Sequence, residues 1–93
     1  MKLTEAQQRE RRILSVMAEA GDDYGYFGFD VLSRQTQIAR RQVRLDVRRM
    51  ARKGLAQFGK GLWTYDGEPA GSGYAITPAG RAALAEKDKA NER

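Results

Sequence analysis

The sequence predicts a small α+β domain with a three-helix core, a two-stranded hairpin and a C-terminal helix. Three observations point to this arrangement. Apolar residues recur at three- and four-residue spacing in the first half of the chain, a stretch rich in glycine and aromatic residues follows, and an alanine-rich segment opens with Thr77-Pro78. The chain has 93 residues, 41% of them hydrophobic, which is enough for one modest core. We therefore expect residues 1–93 to form a single domain.

The first helix is expected over about residues 5 to 20. Thr4 can cap its free backbone N–H groups, and Gln7 can reach back to complete a capping box. Gly21 is a suitable C-terminal stop. The face that we expect to be buried carries Ile13, Val16, Met17 and Ala20.

A short extended segment and a short helix are predicted next. The residues from Tyr26 to Gly28 combine aromatic side chains with a glycine, which favours an extended conformation over a few residues. Asp30 can then cap a helix from Val31 to Gln35. Residues 35 to 37 break the helical pattern, so the chain is expected to turn there.

A longer helix is predicted over residues 39–53, and Gly54 ends it. Its apolar residues recur at the spacing of one helical face, which predicts that this face is buried. The residues on it are Val43, Val47 and Met50.

A hairpin and a last helix complete the domain. Residues 55 to 65 form the first arm, residues 74 to 77 form the second, and the turn-rich residues 66–73 lie between them. Thr77 followed by Pro78 is a good N-cap and first-turn pair for the last helix. That helix is expected to fray into the charged tail at residues 87–93.

The basic residues are concentrated in one part of the chain. The whole chain has 17 Lys and Arg against 12 Asp and Glu, a net charge of +5. Between Val31 and Lys60 there are nine basic residues and a single acid, Asp46. A solvated helix face normally mixes charges of both signs, whereas six of the thirteen residues from Arg40 to Arg52 are arginine. This pattern favours an external anionic partner.

Composition also narrows the class of protein. The chain has no cysteine and no histidine, which removes disulfides, thiolate nucleophiles, the usual metal ligands and the usual neutral-pH general base. We therefore expect a protein that is not an enzyme and needs no cofactor. No apolar run is long enough to span a membrane, and residues 1–12 are polar, so we expect a cytoplasmic protein.

Three segments in the right order resemble the winged helix-turn-helix domains of bacterial and phage transcriptional regulators of the MarR and PadR type. The segment Val31-Leu32-Ser33 followed by Thr36-Gln37-Ile38 looks like their second helix. The stripe of the 39–53 helix followed by Gly54-Leu55 is similar to their recognition helix and its exit. The segment from Tyr74 to Gly80 is similar to the Tyr-x-Leu-Thr-x-x-Gly pattern that ends the wing.

The resemblance implies a sequence-specific double-stranded DNA-binding protein, a transcriptional regulator that reads the major groove with helix 39–53. The candidates for contacts to base edges are Arg41, Arg44, Leu45 and Arg48. Leu45 can either touch a thymine methyl group or fold back against the strand segment. The remaining candidates in the interface are Arg34, Arg40, Gln42, Arg49, Arg52, Lys53 and Lys60. Those nearer the edges of the face either contact phosphate or are simply solvated, namely Arg34, Arg40, Arg49, Arg52 and Lys53.

A wing contact is expected to be weak or absent, because residues 66–73 carry Asp66 and Glu68 but no basic residue. The alternative function is a winged-helix module that binds an acidic protein surface in a replication, transcription or phage complex.

Three weaker motifs are better explained by ordinary structure than by a binding site. The segment from Gly54 to Lys60 only mimics a phosphate-binding loop, and the pair Asp22-Asp23 suits a loop better than a cation site. The aromatic residues of the hairpin suit the lid of a core better than a base-stacking platform, and they are Trp63, Tyr65 and Tyr74.

A homodimer is also expected, because one recognition helix reads only a few base pairs and a regulator generally needs two half-sites. The terminal helices offer the remaining apolar surface. In the first helix this is Leu14, and in the last helix it is Ala79, Ala82, Ala83 and Leu84.

Overall fold

A computed structural model describes residues 3–19, 26–63 and 69–91; for residues 60–63, 69–72, 90 and 91 it describes the backbone alone. The elements follow in the order α1 (Glu5–Ala18), α2 (Phe29–Thr36), α3 (Arg40–Arg52), β1 (Ala56–Trp63), β2 (Pro69–Ile76) and α4 (Pro78–Asn91). The predicted α+β arrangement is thus confirmed. In the described ranges no helix is long and apolar enough to cross a membrane.

Several sequence-based expectations fall outside the described residues. These are the helix stop at Gly21, the Asp22-Asp23 pair, Tyr65, and the acidic hairpin tip with Asp66 and Glu68. The side chains of Lys60 and Trp63 likewise lie outside the description.

The core lies between α1, α2 and α3 and is closed by the start of the hairpin. The stripe predicted for α3 is confirmed, since its three residues are fully buried. Leu14 corrects an expectation: it is fully buried and is not free for a dimer contact. Its burial follows from the central position of α1, which packs against α2, α3 and α4 and therefore buries a wide stripe. The buried hydrophobic residues are Ile13, Leu14, Met17, Leu32, Ile38, Val43, Val47, Met50 and Ala56.

The start of α1 is as predicted, and the start of α2 is not. The backbone N–H of Gln7 donates to Thr4 Oγ1 at 3.1 Å, and Thr4 N–H donates to Gln7 Oε1 at 2.9 Å, which completes the capping box. The expectation that Asp30 caps α2 is wrong, because Gly28 occupies the N-cap position and Asp30 lies in the first turn. The earlier start lets the Phe29 ring stack on Tyr74 of β2, with 5.7 Å between ring centroids.

A tight turn joins α2 to α3 and makes them a helix-turn-helix pair. Gln37 adopts the left-handed conformation with φ 60° and ends α2. Thr36 is buried, and its hydroxyl donates to the Leu32 carbonyl oxygen at 2.6 Å and accepts from Ile38 N–H at 3.3 Å. Because Ile38 is itself buried, the turn is fixed against the core and sets the direction in which α3 leaves.

The hairpin is longer than predicted. β1 and β2 pair antiparallel from Ala56 opposite Ile76 to Trp63 opposite Pro69, so β2 begins five residues before the predicted second arm. The predicted short extended segment is confirmed, because Phe27 forms a two-hydrogen-bond bridge to Tyr74 with N···O distances of 2.7 and 2.9 Å.

The root of the hairpin and the start of α4 are tied together. The Thr77 hydroxyl accepts from Gly80 N–H at 3.0 Å, as predicted for an N-cap, and donates to the Gly54 carbonyl oxygen at 2.5 Å. Helix α4 continues to Asn91, so residues 87 to 91, which were expected to fray, are helical. Ion pairs to α1 from Lys87 and Asp88 explain the difference, since they attach this part of α4 to the rest of the fold.

Candidate nucleic-acid interface

One side of α3 is exposed along its whole length. We call it the outer face and define it as Arg41, Arg44, Leu45, Arg48 and Arg52, all of which are exposed. The opposite stripe is fully buried, so the orientation of α3 in the domain is fixed. Leu45 is 56% exposed and does not fold back into the domain. The structure therefore places all four predicted base-edge residues on one solvent-facing surface.

The guanidinium groups of the outer face have no partner within the described part of the chain. Their four arginines make no ion pair or hydrogen bond there, and the same is true of Arg34 on α2. The like charges of these arginines repel one another. The first turn of α3 increases this repulsion, because it carries Arg40 and Arg41 and no acid. Cations at a helix N-terminus oppose the helix dipole. An external anion would offset these unfavourable terms.

Arg40 differs from the arginines of the outer face. Its Nε donates to Asp30 in the first turn of α2, and its guanidinium lies 5.8 Å from the centroid of the Phe29 ring. Both contacts join the start of α3 to the start of α2. Arg40 is thus a structural link between the two helices as well as a predicted phosphate contact.

A second row of α3 faces α1. It consists of Gln42, Asp46, Arg49 and Lys53, which follow one another at four-, three- and four-residue spacing. We call it the α1-facing row. The predicted DNA contact Gln42 belongs to it, is half-buried, and donates from Nε2 to Asp46 Oδ1 at 3.0 Å.

Asp46 is the centre of this row and is completely buried. It accepts from Arg9 Nε at 2.9 Å and from Arg49 Nη2 at 3.0 Å, in addition to Gln42. The hydrogen bond to Asp46 raises the pKa of the Arg9 guanidinium above its usual value, so Arg9 remains a cation. A buried carboxylate is tolerated when it is paired and hydrogen-bonded in this way.

Glu10 on α1 forms ion pairs with Lys53 at the end of α3 and with Lys87 on α4. It is 3% exposed, and its carboxylate lies 3.0 Å from Lys87 Nζ of α4 and 3.6 Å from Lys53 Nζ. Lys53, predicted to contact phosphate, is therefore paired within the domain. Arg9 and Glu10 together contact the α1-facing row with charges of opposite sign.

The roles of these two acids were not predicted from the sequence. The signal for Asp46 was present, since it lies three residues after Val43 and four before Met50 and so borders the buried stripe. Glu10 lies three residues before Ile13 and four before Leu14, which are both buried. This spacing predicts that each acid is buried, and a buried carboxylate needs cations or hydrogen-bond donors around it.

The aromatic residues next to α2 form a lid over the core. Tyr74 is half-buried between Phe29 and Phe58, and its ring centroid lies 5.2 Å from that of Phe58 in an edge-to-face contact. The core interpretation is therefore confirmed for Tyr74. Phe58 itself is 51% exposed.

A cavity lies beside α1, and the described residues contain no cluster of metal ligands. No group of three or more acidic residues within them is placed to hold a metal ion. An open cavity of about 300 Å³ lies between α1 and the end of α2. Its two arginines are engaged, because Arg11 pairs with Asp88 and Arg12 donates to the Thr36 carbonyl oxygen. The lining residues are Arg11, Arg12, Ser15, Val16, Gln35, Thr36 and Gln37.

Comparison with known proteins yields matches among solved structures but none among family models or curated proteins. No protein-family model matches the chain, and no curated protein matches it significantly. The solved structure of Bordetella bronchiseptica BpsR, whose DNA binding is regulated by 6-hydroxynicotinic acid, has a TM-score of 0.69 and 22% identity over 98% of this chain and 61% of that one.

Two MarR-family structures are similar as well. Lactococcus lactis ZitR, a zinc-responsive member of that family, has a TM-score of 0.63 and 15% identity over 99% of this chain and 56% of its own. The zinc-dependent transcriptional regulator AdcR, solved with Zn(II) bound, has a TM-score of 0.59 and 13% identity over 99% and 56%. The chain thus has the winged-helix fold of MarR-family regulators, and it spans about three fifths of the length of these neighbours.

Proposed function

We propose that this protein binds double-stranded DNA sequence-specifically and regulates transcription, with α3 in the major groove. The observation that carries the proposal is the outer face of α3, where four arginines are exposed and have no partner in the described part of the chain. Arginine suits this role because its planar group makes forked contacts with phosphate and with guanine.

The dimensions of α3 support the same function. B-DNA admits an α-helix into its major groove, where outward side chains reach the base edges. The buried stripe lies on one side of α3, and Arg41, Arg44 and Arg48 lie on the opposite, exposed side. The arginines can therefore face a groove while the apolar residues stay in the core. Leu45, exposed among them, has the chemistry to contact a thymine methyl group.

We assign the other exposed cations of α2 and α3 to phosphate contact. Arg52 lies at the C-terminal end of the outer face, and Arg34 is exposed on α2. Arg40 reaches phosphate only if it exchanges Asp30 for it, which is feasible because both side chains are largely exposed and such pairs are weak. Gln42 is turned toward Asp46 and contributes less directly. The fold shared with DNA-binding and transcription-regulating neighbours is consistent with this assignment.

The salt dependence of duplex binding tests the proposal. If about four to six phosphates are neutralised, log K should fall with log salt at a slope of about −4 to −5, because each contact releases about 0.9 counterion. Fluorescence anisotropy with a labelled duplex over a range of salt concentrations measures the slope.

A matched pair of variants shows whether the slope arises from α3. Arg52→Ala should make the slope about one unit shallower, whereas Lys89→Ala, which removes the same charge from an exposed site on α4, should leave it unchanged. A slope near zero, or no duplex binding at low salt, contradicts the proposal and favours the protein-interaction alternative.

The second part of the proposal is a homodimer formed through the terminal helices. Specific recognition generally needs two half-sites about one helical turn apart, and a symmetric dimer supplies two copies of α3. The exposed small residues of α4, Ala79, Ala82 and Ala85, allow a close approach of a second helix. Leu14 does not take part, since it is in the core.

A further inference from the structure

Asp46 of the α1-facing row is paired with two further arginines, Arg49 of the same row and Arg9 of α1. Arg49 stands between Arg48 and Arg52 in the sequence, and its side chain is 35% exposed. Arg9, from α1, is 27% exposed at its side chain. Both guanidinium groups are held by the one carboxylate of Asp46, at distances of 2.9 and 3.0 Å.

The hydrogen bonds that Asp46 accepts limit which arginines are free to contact DNA phosphates. A guanidinium that is hydrogen-bonded to a buried carboxylate is restrained in position, and the single charge of Asp46 lowers the net charge of the two arginines from +2 to +1. Each arginine must give up its ion pair with Asp46 to move onto a phosphate. The Gln42 amide is held by the same carboxylate, at 3.0 Å.

We propose that Asp46 is a positioning residue for DNA recognition, which keeps Arg9 and Arg49 off the phosphates so that the arginines of the outer face dominate binding. The inference rests on the proposed DNA-binding function. Phosphate contacts carry no sequence information, so two additional ones would strengthen binding to every sequence. By sequestering these cations, Asp46 raises the ratio of specific to non-specific affinity.

The experiment compares Asp46→Asn with the wild-type protein. Asparagine has nearly the same size as aspartate and keeps one acceptor oxygen, but it lacks the charge, so both guanidinium groups lose their ion pair and are held less strongly. We expect tighter binding to a random-sequence duplex at low salt and a slope steeper by about one to two units. The ratio of affinities for a selected duplex and the random duplex should fall.

Three further variants make the comparison specific. Asp88→Asn removes the same charge and frees Arg11 on the α4 side of α1, away from the α1-facing row, and it should leave slope and ratio unchanged. Arg9→Gln and Arg49→Gln, tested singly, keep an amide donor for Asp46. Each should retain the wild-type slope, because neither arginine contacts phosphate while Asp46 is present.

The possible outcomes separate this inference from the proposed function. If the wild-type protein binds no duplex, both are overturned. If it binds with the expected slope but Asp46→Asn only weakens binding to both duplexes at an unchanged slope, Asp46 is merely structural and this inference alone is overturned. If Asp46→Asn does not fold, the single glutamine variants decide, because a shallower slope in either would show that the arginine already contacts DNA.

Discussion

Individual arginines on the outer face of α3 should contribute to DNA binding in different ways. Arg44→Ala and Arg48→Ala should each reduce the free-energy difference between specific and random binding by about 1–3 kcal/mol, because the proposed function assigns these exposed side chains to base edges. Arg52→Ala should weaken binding to both sequences about equally. Titration of each variant with a selected and a random duplex measures this free-energy difference. Uniform weakening by all three variants would show that these arginines do not read bases.

Gly80 lies where the start of α4 approaches the root of the hairpin closely, and this approach leaves no room for a side chain. A Cβ atom at this position would overlap the Leu55 carbonyl oxygen and lie 2.8 Å from Ile76 Cγ1. Gly80→Ala should therefore lower the free energy of unfolding by about 1–3 kcal/mol through overpacking. Urea denaturation followed by circular dichroism measures the change.

The control for this prediction is Gly28→Ser. A Cβ atom on Gly28 meets nothing within 4 Å, and Gly28 is the N-cap of α2. Serine is a good N-cap residue, so this variant should gain a few tenths of a kcal/mol. Equal stability of Gly80→Ala and the wild-type protein would contradict the close approach at the hairpin root.

At the scale of elements, the attachment of α4 to α1 depends on a buried ion pair. Lys87→Met should lower the free energy of unfolding by about 1–3 kcal/mol, because it removes the partner at 3.0 Å from a Glu10 carboxylate that is almost fully buried. Lys89→Met, at an exposed site on the same helix, should change it by less than about 0.5 kcal/mol. Urea denaturation distinguishes them, and equal effects would mean that the pair contributes little. Recovery of stability in Glu10→Gln/Lys87→Met would identify the unpaired charge as the cause.

The elements also show what the sequence could predict. All four helices were located from it. Thr4 and Thr77 mark the starts of α1 and α4 as side-chain caps, and α3 was located from the apolar spacing of its buried stripe. The start of α2 was misplaced because Gly28 and Asp30 are both reasonable caps, and the choice depends on packing of Phe29 against the distant Tyr74. The first half of β2 was missed because its glycines and proline are typical of turns, whereas its strand conformation comes from backbone pairing with β1.

The candidate site was predictable to a similar extent. Helical spacing is sufficient to place the outer face of α3 opposite the buried stripe, and the structure has both where expected. The partners of the basic residues were not predictable, because Arg9 and Asp46 are far apart in the sequence and meet only when α1 packs against α3. Ion pairs between helices depend on tertiary structure, which local patterns do not contain.

At the scale of the whole molecule, we expect two copies to bind one operator. Ala82→Glu places a charge on the exposed side of α4 and should weaken both dimer assembly and operator binding while the monomer stays folded. Leu84 is a poorer site for this test, since it is half-buried and packs against the core. Sedimentation with and without a selected duplex measures the stoichiometry, and Gln35→Glu on α2 is the charge-matched control. One protein per duplex at saturation excludes the dimer.

The position of Glu10 has a consequence for how the chain folds as it is made. Glu10 precedes in the sequence the lysines that compensate its charge, which belong to the end of α3 and to α4. Until Lys87 has been synthesised and has left the exit tunnel, burying Glu10 leaves its carboxylate without its nearest cation. We therefore expect α1 to dock stably only after α4 has left the ribosome, so that α1 and α4 join the core together.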